Sequence, residues 1–253
     1  MHDFFSWSAA ALLGAFSAFG LLCFIISLGL LEYFRRRAAK VPETIPVATF
    51  VSTVATAWAL ALGFAAADIW SFKAQAEQAA SEERSCVRRL GGMASADALD
   101  APAMMQALKA YKSAVEQYEW RMSSNRSPSP EVDDALQKIR VAIIQIAKNG
   151  APGSLIAKMT QDFDELQDAR NKRLAIGSSS VSDYKWYLVL FLTFLSMVTI
   201  ASVHADRPRA GRNALSIFAI AAVVSLWILA VHAHPYAGPT RIEFESVSFT
   251  LPS

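Results

Sequence analysis

The residues whose spacing carries the most chemistry lie on one side of a single apolar stretch. Taken at intervals of three and four, Thr49, Ser52, Thr56, Leu60, Phe64 and Asp68 form one line along a helix. The line starts with hydroxyls, narrows to two bulky apolar side chains and ends in a carboxylate. Such a surface could line a pore: hydroxyls wet its wide part, Leu60 and Phe64 form a constriction that gates by dewetting, and Asp68 sets the field. A ring of Asp68 carboxylates favours cations, whereas neutralisation by Lys73 or by arginines admits anions. Beside it run Ala55, Ala59, Gly63 and Ala67, a stripe of small residues that lets another helix approach closely. A plainer alternative stays open, in which the hydroxyls bond their own i−4 carbonyls and the helix simply packs against its neighbours. Asp68 would then be a solvated residue just beyond the hydrocarbon, beside an interfacial Trp70.

No enzymatic signature accompanies this line. The chain has no P-loop, GxSxG, HExxH or CxxC, so no catalytic residue, metal or cofactor is expected and the chain does not read as an enzyme. His232 and His234 are two apart and point to different sides of a helix, which suits interfacial residues better than metal ligands. Cys23 and Cys86 fall in different kinds of segment, and a disulfide between them is not expected. Acids and bases in helical register occur between residues 72 and 183. Most of them read as solvated faces or surface pairs, Glu116 and Glu119 included. One interhelical clasp is worth naming: Glu83 with Arg170 or Arg173.

Four apolar stretches must position these residues. Of 253 residues, 53% are hydrophobic and 18% charged, too apolar an average for an ordinary soluble domain. From Ala9 to Leu31 there is no charge over about 34 Å of helix, enough to cross a bilayer. A cleaved signal peptide does not fit, because no Lys or Arg precedes the run and Arg35, Arg36, Arg37 and Lys40 follow it. A second span is expected over 45–70, a third over 186–203 and a fourth over 214–231. Arg207, Arg209 and Arg212 fill the loop between the last two. Both short loops are basic, which places them in the cytoplasm and puts the termini and the middle segment on the outer face.

Between the hairpins, 72–183 reads as a soluble helical domain. Apolar residues recur at helical spacing: Leu108, Tyr111, Val115, Tyr118 and Met122, then Leu136, Ile139, Ile143 and Ile146, then Met159, Phe163 and Leu166. Breaks are predicted at Gly91-Gly92, at 127–130 and at 150–153. No breaker separates Phe72 from the second span, so that helix continues outward as a rod. Strand-like alternation occurs only from Arg241 to Leu251. The expected fold is an all-α integral membrane protein of four transmembrane helices with a helical soluble insertion after the second. Residues 1–71 form one hairpin, 184–234 the other, and 235–253 a tail outside the membrane. Acids and bases are nearly matched, leaving no basic face for nucleic acid.

These residues together resemble the bestrophin-like family of bacterial four-span membrane proteins. The resemblance rests on Gly63-Phe64 and Trp70; on Glu83, Val87 and Leu90; on Tyr111, Val115, Glu119, Trp120 and Met122; on Arg170, Arg173, Leu174 and Trp186; and on Pro235-Tyr236, Gly238 and Arg241. It implies, through the bestrophins proper, a homo-pentameric ion channel whose second span lines the pore. Phe64 and Leu60 then match two bulky residues of its neck, whereas Thr56 departs from the apolar third. Arg84 stands where a small residue is usual, the proline expected near Ser182 is missing, and no calcium clasp is recognisable. Bestrophins keep their soluble domain in the cytosol; the basic loops here favour the outer, periplasmic face of a bacterial inner membrane. Two functions follow as expectations: a homo-oligomer in the lipid bilayer conducting ions through its second spans, or a non-conducting scaffold or sensor whose soluble helices bind a partner.

Overall fold

The computed structural model describes residues 4–40, 46, 49–179 and 183–244. After a single turn at Phe4–Ser6 come α1 (Ala9–Ala38), α2 (Thr49–Ala94), α3 (Pro102–Ala114), α4 (Pro130–Lys148), α5 (Gly153–Ser178), α6 (Asp183–Val203) and α7 (Pro208–Val231). No strand occurs among the described residues; the alternation noted from Arg241 falls mostly outside them. Local chemistry accounts for several boundaries. The Ser8 hydroxyl accepts from the Ala11 N–H at the start of α1, and Pro102, Pro130 and Pro208 open α3, α4 and α7, where a missing N–H costs nothing. Gly150, at φ 87°, ends α4.

Four helical stretches are long and apolar enough to cross a membrane: α1, α2, the stretch ending at Val203, and α7. At the expected start of the second span, 45, 47 and 48 lie outside the described residues.

The chain divides into two compact units. The first comprises α1, α2 as far as Ser71, α6 and α7. Lipid supplies no hydrophobic drive between such helices, so close approach must. A Cβ on Gly20 would strike Val223, and one on Gly211 would sit 2.8 Å from His204 Cβ and 3.3 Å from Leu31. Trp227 Nε1–H donates to the Ala9 carbonyl at 2.9 Å. These three contacts run α1 and α7 antiparallel, and Cys23, Leu31, Met197, Ile200, Ala201 and Leu215 fill the apolar centre. The same contacts bring the arginines at the end of α1 and those at the start of α7 to one end of the unit. At the opposite end stand exposed Trp7, Trp70, Tyr184 and Tyr187, an aromatic belt of the kind that sits at headgroup depth.

The second unit comprises α2 from Phe72, α3, α4, α5 and short C-terminal pieces. Its core holds Val87, Leu90, Met104, Leu108, Tyr111, Val115, Ile139, Met159 and Leu166, each at most 2% exposed. Each such side chain contributes about 1.5–3 kcal/mol by leaving water. Gly91-Gly92 does not end a helix as predicted: α2 continues to Ala94, and Gly91 is buried. The chain turns instead at Ser95, whose hydroxyl donates to the Gly92 carbonyl at 2.9 Å, and at Asp100, which takes φ 44°.

The periodicity of the next helix also fails at a definite point. After Ala114 the chain winds as a π-helix from Val115 to Met122. More residues per turn rotate the face, so Met122 is 72% exposed while Glu119 is fully buried. Glu119 is therefore an interior residue and not part of a solvated face; Glu116 remains near the surface, paired with Arg121 at 2.5 Å.

Candidate functional site

Within the first unit α2 is sided, and the sides differ in what they meet. Ala65 and Ile69 are buried at 1% exposure. Trp58 lies on that side too: its Nε1–H donates to Thr193 Oγ1 at 2.9 Å and its ring packs 5.0 Å from Phe218. The other side carries the hydroxyl-to-carboxylate line. Thr49, Ser52 and Thr56 are exposed, Leu60 is 56% and Phe64 66% exposed, and Asp68 is half-buried. In the apolar window of α2 only 6% of residues are buried, against 22%, 44% and 33% for the other three spans, so this is the helix that the chain itself leaves uncovered.

The small-residue stripe is uncovered as well. Ala59, Gly63 and Ala67 are exposed and Ala55 is half-buried, and nothing lies within 4 Å of a Cβ placed on Gly63. Among the described residues, no helix of the first unit covers Ala59, Gly63 or Ala67. Hydroxyls also behave differently on different helices. Thr193 and Thr199 of α6 turn back onto the Val189 and Leu195 carbonyls at 2.8 and 2.7 Å, whereas Thr56 makes no such bond among the described residues. Asp68 has a specific partner, the Lys185 ammonium in the first turn of α6, which donates to Asp68 Oδ2. Neither Lys73 nor an arginine fills that role.

The second unit holds a buried ionic cluster. Arg173 of α5 is fully buried; its Nε–H donates to Glu83 Oε2 at 2.6 Å, its Nη2 to Glu83 Oε1 at 3.2 Å and to Glu119 Oε2 at 2.8 Å, and its Nη1 to Asn125 Oδ1. Arg170, one turn earlier, does not reach Glu83. It donates to Glu119 Oε1 at 3.0 and 2.6 Å and to Asp133 at 2.6 Å. Tyr111 Oη–H donates to Glu83 Oε1 at 2.7 Å, and the Ser129 N–H to Glu119 Oε1 at 3.3 Å. Burial works against the Arg173 charge, but the combined fields of Glu83 and Glu119 outweigh it and hold the guanidinium above the usual arginine value. Burial first, then Glu83, pushes the Tyr111 hydroxyl well above its ordinary value. Two guanidinium groups thus face two buried carboxylates, with the exposed Asp133 as a third partner of Arg170, so every buried charge is met.

The sequence named a clasp of Glu83 with Arg170 or Arg173 without placing it; Arg173 is the arginine that meets Glu83, and Tyr111, Glu119 and Asn125 join the cluster without having been named for it. A signal existed for Glu119, which follows Tyr111 and Val115 at i+4 as an acid in a core register. Asn125 gives none, since it joins through a left-handed backbone at φ 58°. A Cβ on Gly177 would collide with the Asn125 backbone, which leaves glycine as the residue that fits there.

Both cysteines are free and buried. No group of three or more metal-ligating side chains occurs among the described residues.

Four membrane-crossing helical stretches and an all-helical fold define an integral membrane protein. A Bestrophin-like domain model matches residues 14–247, and the chain belongs to the Bestrophin-like family. The fold is also that of crystallised bacterial bestrophin homologues from Klebsiella pneumoniae. The one solved by Zn-SAD phasing is 15% identical with a TM-score of 0.69, over 91% of this chain and 93% of that one. Two point variants give 16% and 0.69 over 91% and 94%, and 14% and 0.72 over 95% and 94%. No curated protein matches the chain.

Proposed function

We propose that the protein is a homo-oligomeric ion channel whose α2 helices surround the pathway. What supports this reading most is the uncovered face of α2, where Thr49, Ser52, Thr56, Leu60, Phe64 and Asp68 lie together unburied. A face of hydroxyls and a carboxylate is poorly matched to lipid and well matched to water. Beside it, the open stripe of Ala55, Ala59, Gly63 and Ala67 suits a neighbouring copy at close range. Copies closed about an axis would bring Leu60 and Phe64 into successive apolar rings, a constriction that opens by wetting. Five copies follow from the family resemblance alone.

The two basic clusters lie at one end of the first unit. By the positive-inside rule that end faces the cytoplasm of a bacterial inner membrane, and the helical segment 72–183 forms a soluble domain on the outer face.

Purified protein in liposomes tests the central reading. Ion flux is expected from the wild type, with a faster leak through Phe64→Ala, which shortens the apolar constriction. Absence of flux from both would leave the scaffold or sensor function, with 72–183 as its partner-binding part.

A further inference from the structure

We propose that Lys185 sets the charge preference of the pathway by neutralising Asp68, an assignment that rests on the pore reading above. Asp68 follows Phe64 by four residues, about 6 Å along the helix axis, so it stands one turn beyond the Phe64 ring. Alone, a carboxylate repeated in every copy at that level would concentrate cations at the mouth of the constriction. It is not alone. The ammonium of Lys185, in the first turn of α6, donates to its Oδ2, and both residues belong to the same unit of the same chain. Each copy therefore carries its own compensated pair, and the ring as a whole has no net charge.

The pair's setting argues for an electrostatic role over a structural one. The side chains keep 46% and 34% of their exposure, and ion pairs that wet contribute little to folding. Water at the pair lets its field reach a passing ion. The adjoining belt of Trp70, Tyr184 and Tyr187 puts it at headgroup depth, where an ion enters or leaves the apolar constriction.

Reversal potentials across planar bilayers under a salt gradient test the assignment. Lys185→Gln bares the carboxylates and is expected to raise the cation-over-anion permeability ratio on the order of fivefold, the equivalent of removing one charge contact in water. Asp68→Asn bares the ammonium and moves the ratio the other way by a similar factor. Lys185→Arg, and the exchange of Asp68→Lys with Lys185→Asp, keep the pair and are expected to leave the wild-type ratio in place. Conductance with a ratio unmoved by both neutralising variants overturns the role of Lys185 and leaves the pore reading standing. No conductance from the wild type overturns both.

Discussion

In the second unit the buried Arg173 ties Glu83, Glu119 and Asn125 together. Its guanidinium is the counter-charge of Glu83 and is shared with Glu119, so Arg173→Ala leaves Glu83 buried without a cation while Glu119 keeps Arg170. A loss of about 3–5 kcal/mol is expected, as for one partner removed from a buried pair; thermal unfolding in detergent followed by tryptophan fluorescence measures it. Tyr111 and Tyr236 give the unit a definite pH response. Both hydroxyls are pushed up, chiefly by burial, so the folded state holds their protons more tightly than the unfolded chain does. That stabilisation is complete below the ordinary tyrosine value near 10 and is lost as pH rises beyond it. Stability is expected to fall steeply above about pH 10, and Tyr111→Phe to flatten that slope by one proton while lowering stability near neutrality through its lost bond to Glu83. A slope unchanged in the variant would remove Tyr111 from this account.

At the scale of the element, glycine decides what approaches what. Gly20→Leu puts a branched side chain where Val223 already lies, so α1 and α7 must separate; a loss of about 1–3 kcal/mol or more follows. Gly63→Ala is expected to leave the isolated chain no less stable, because nothing faces it there and alanine favours a helix interior, and to weaken association between copies on size-exclusion in detergent. The helices were readable in different degrees. Apolar runs long enough to span a bilayer announce themselves, and Ser129-Pro130 and Gly150 carry their turn chemistry in their types. On α2 spacing picked out two adjacent lines that share one uncovered side, and it did not pick out the covered side that holds Ala65 and Ile69. It misled after Ala114, where Tyr118 and Met122 were counted inward and a π-turn carried Glu119 in instead. Helical periodicity assumes a constant winding, and nothing in the types of residues 115–122 shows that it changes. Lys185 was unreadable for another reason: it lies 117 residues from Asp68, and only the packing of α2 against α6 makes it a partner.

On the scale of the molecule, the uncovered side of α2 and the sidedness of the basic ends are the features that need an environment. Met122 is 72% exposed in the second unit and both native cysteines are buried, so Met122→Cys is a clean reporter. An impermeant maleimide applied to spheroplasts is expected to label it if 72–183 faces outward, and labelling only after permeabilisation would reverse the orientation. The central claim, that this side of α2 lines the ion pathway, is tested most directly by single cysteines on α2 under a charged thiol reagent during conductance recording. Block is expected at Thr56→Cys, Leu60→Cys and Phe64→Cys, with none at Ala65→Cys or Ile69→Cys. Block at the second set with none at the first would contradict it.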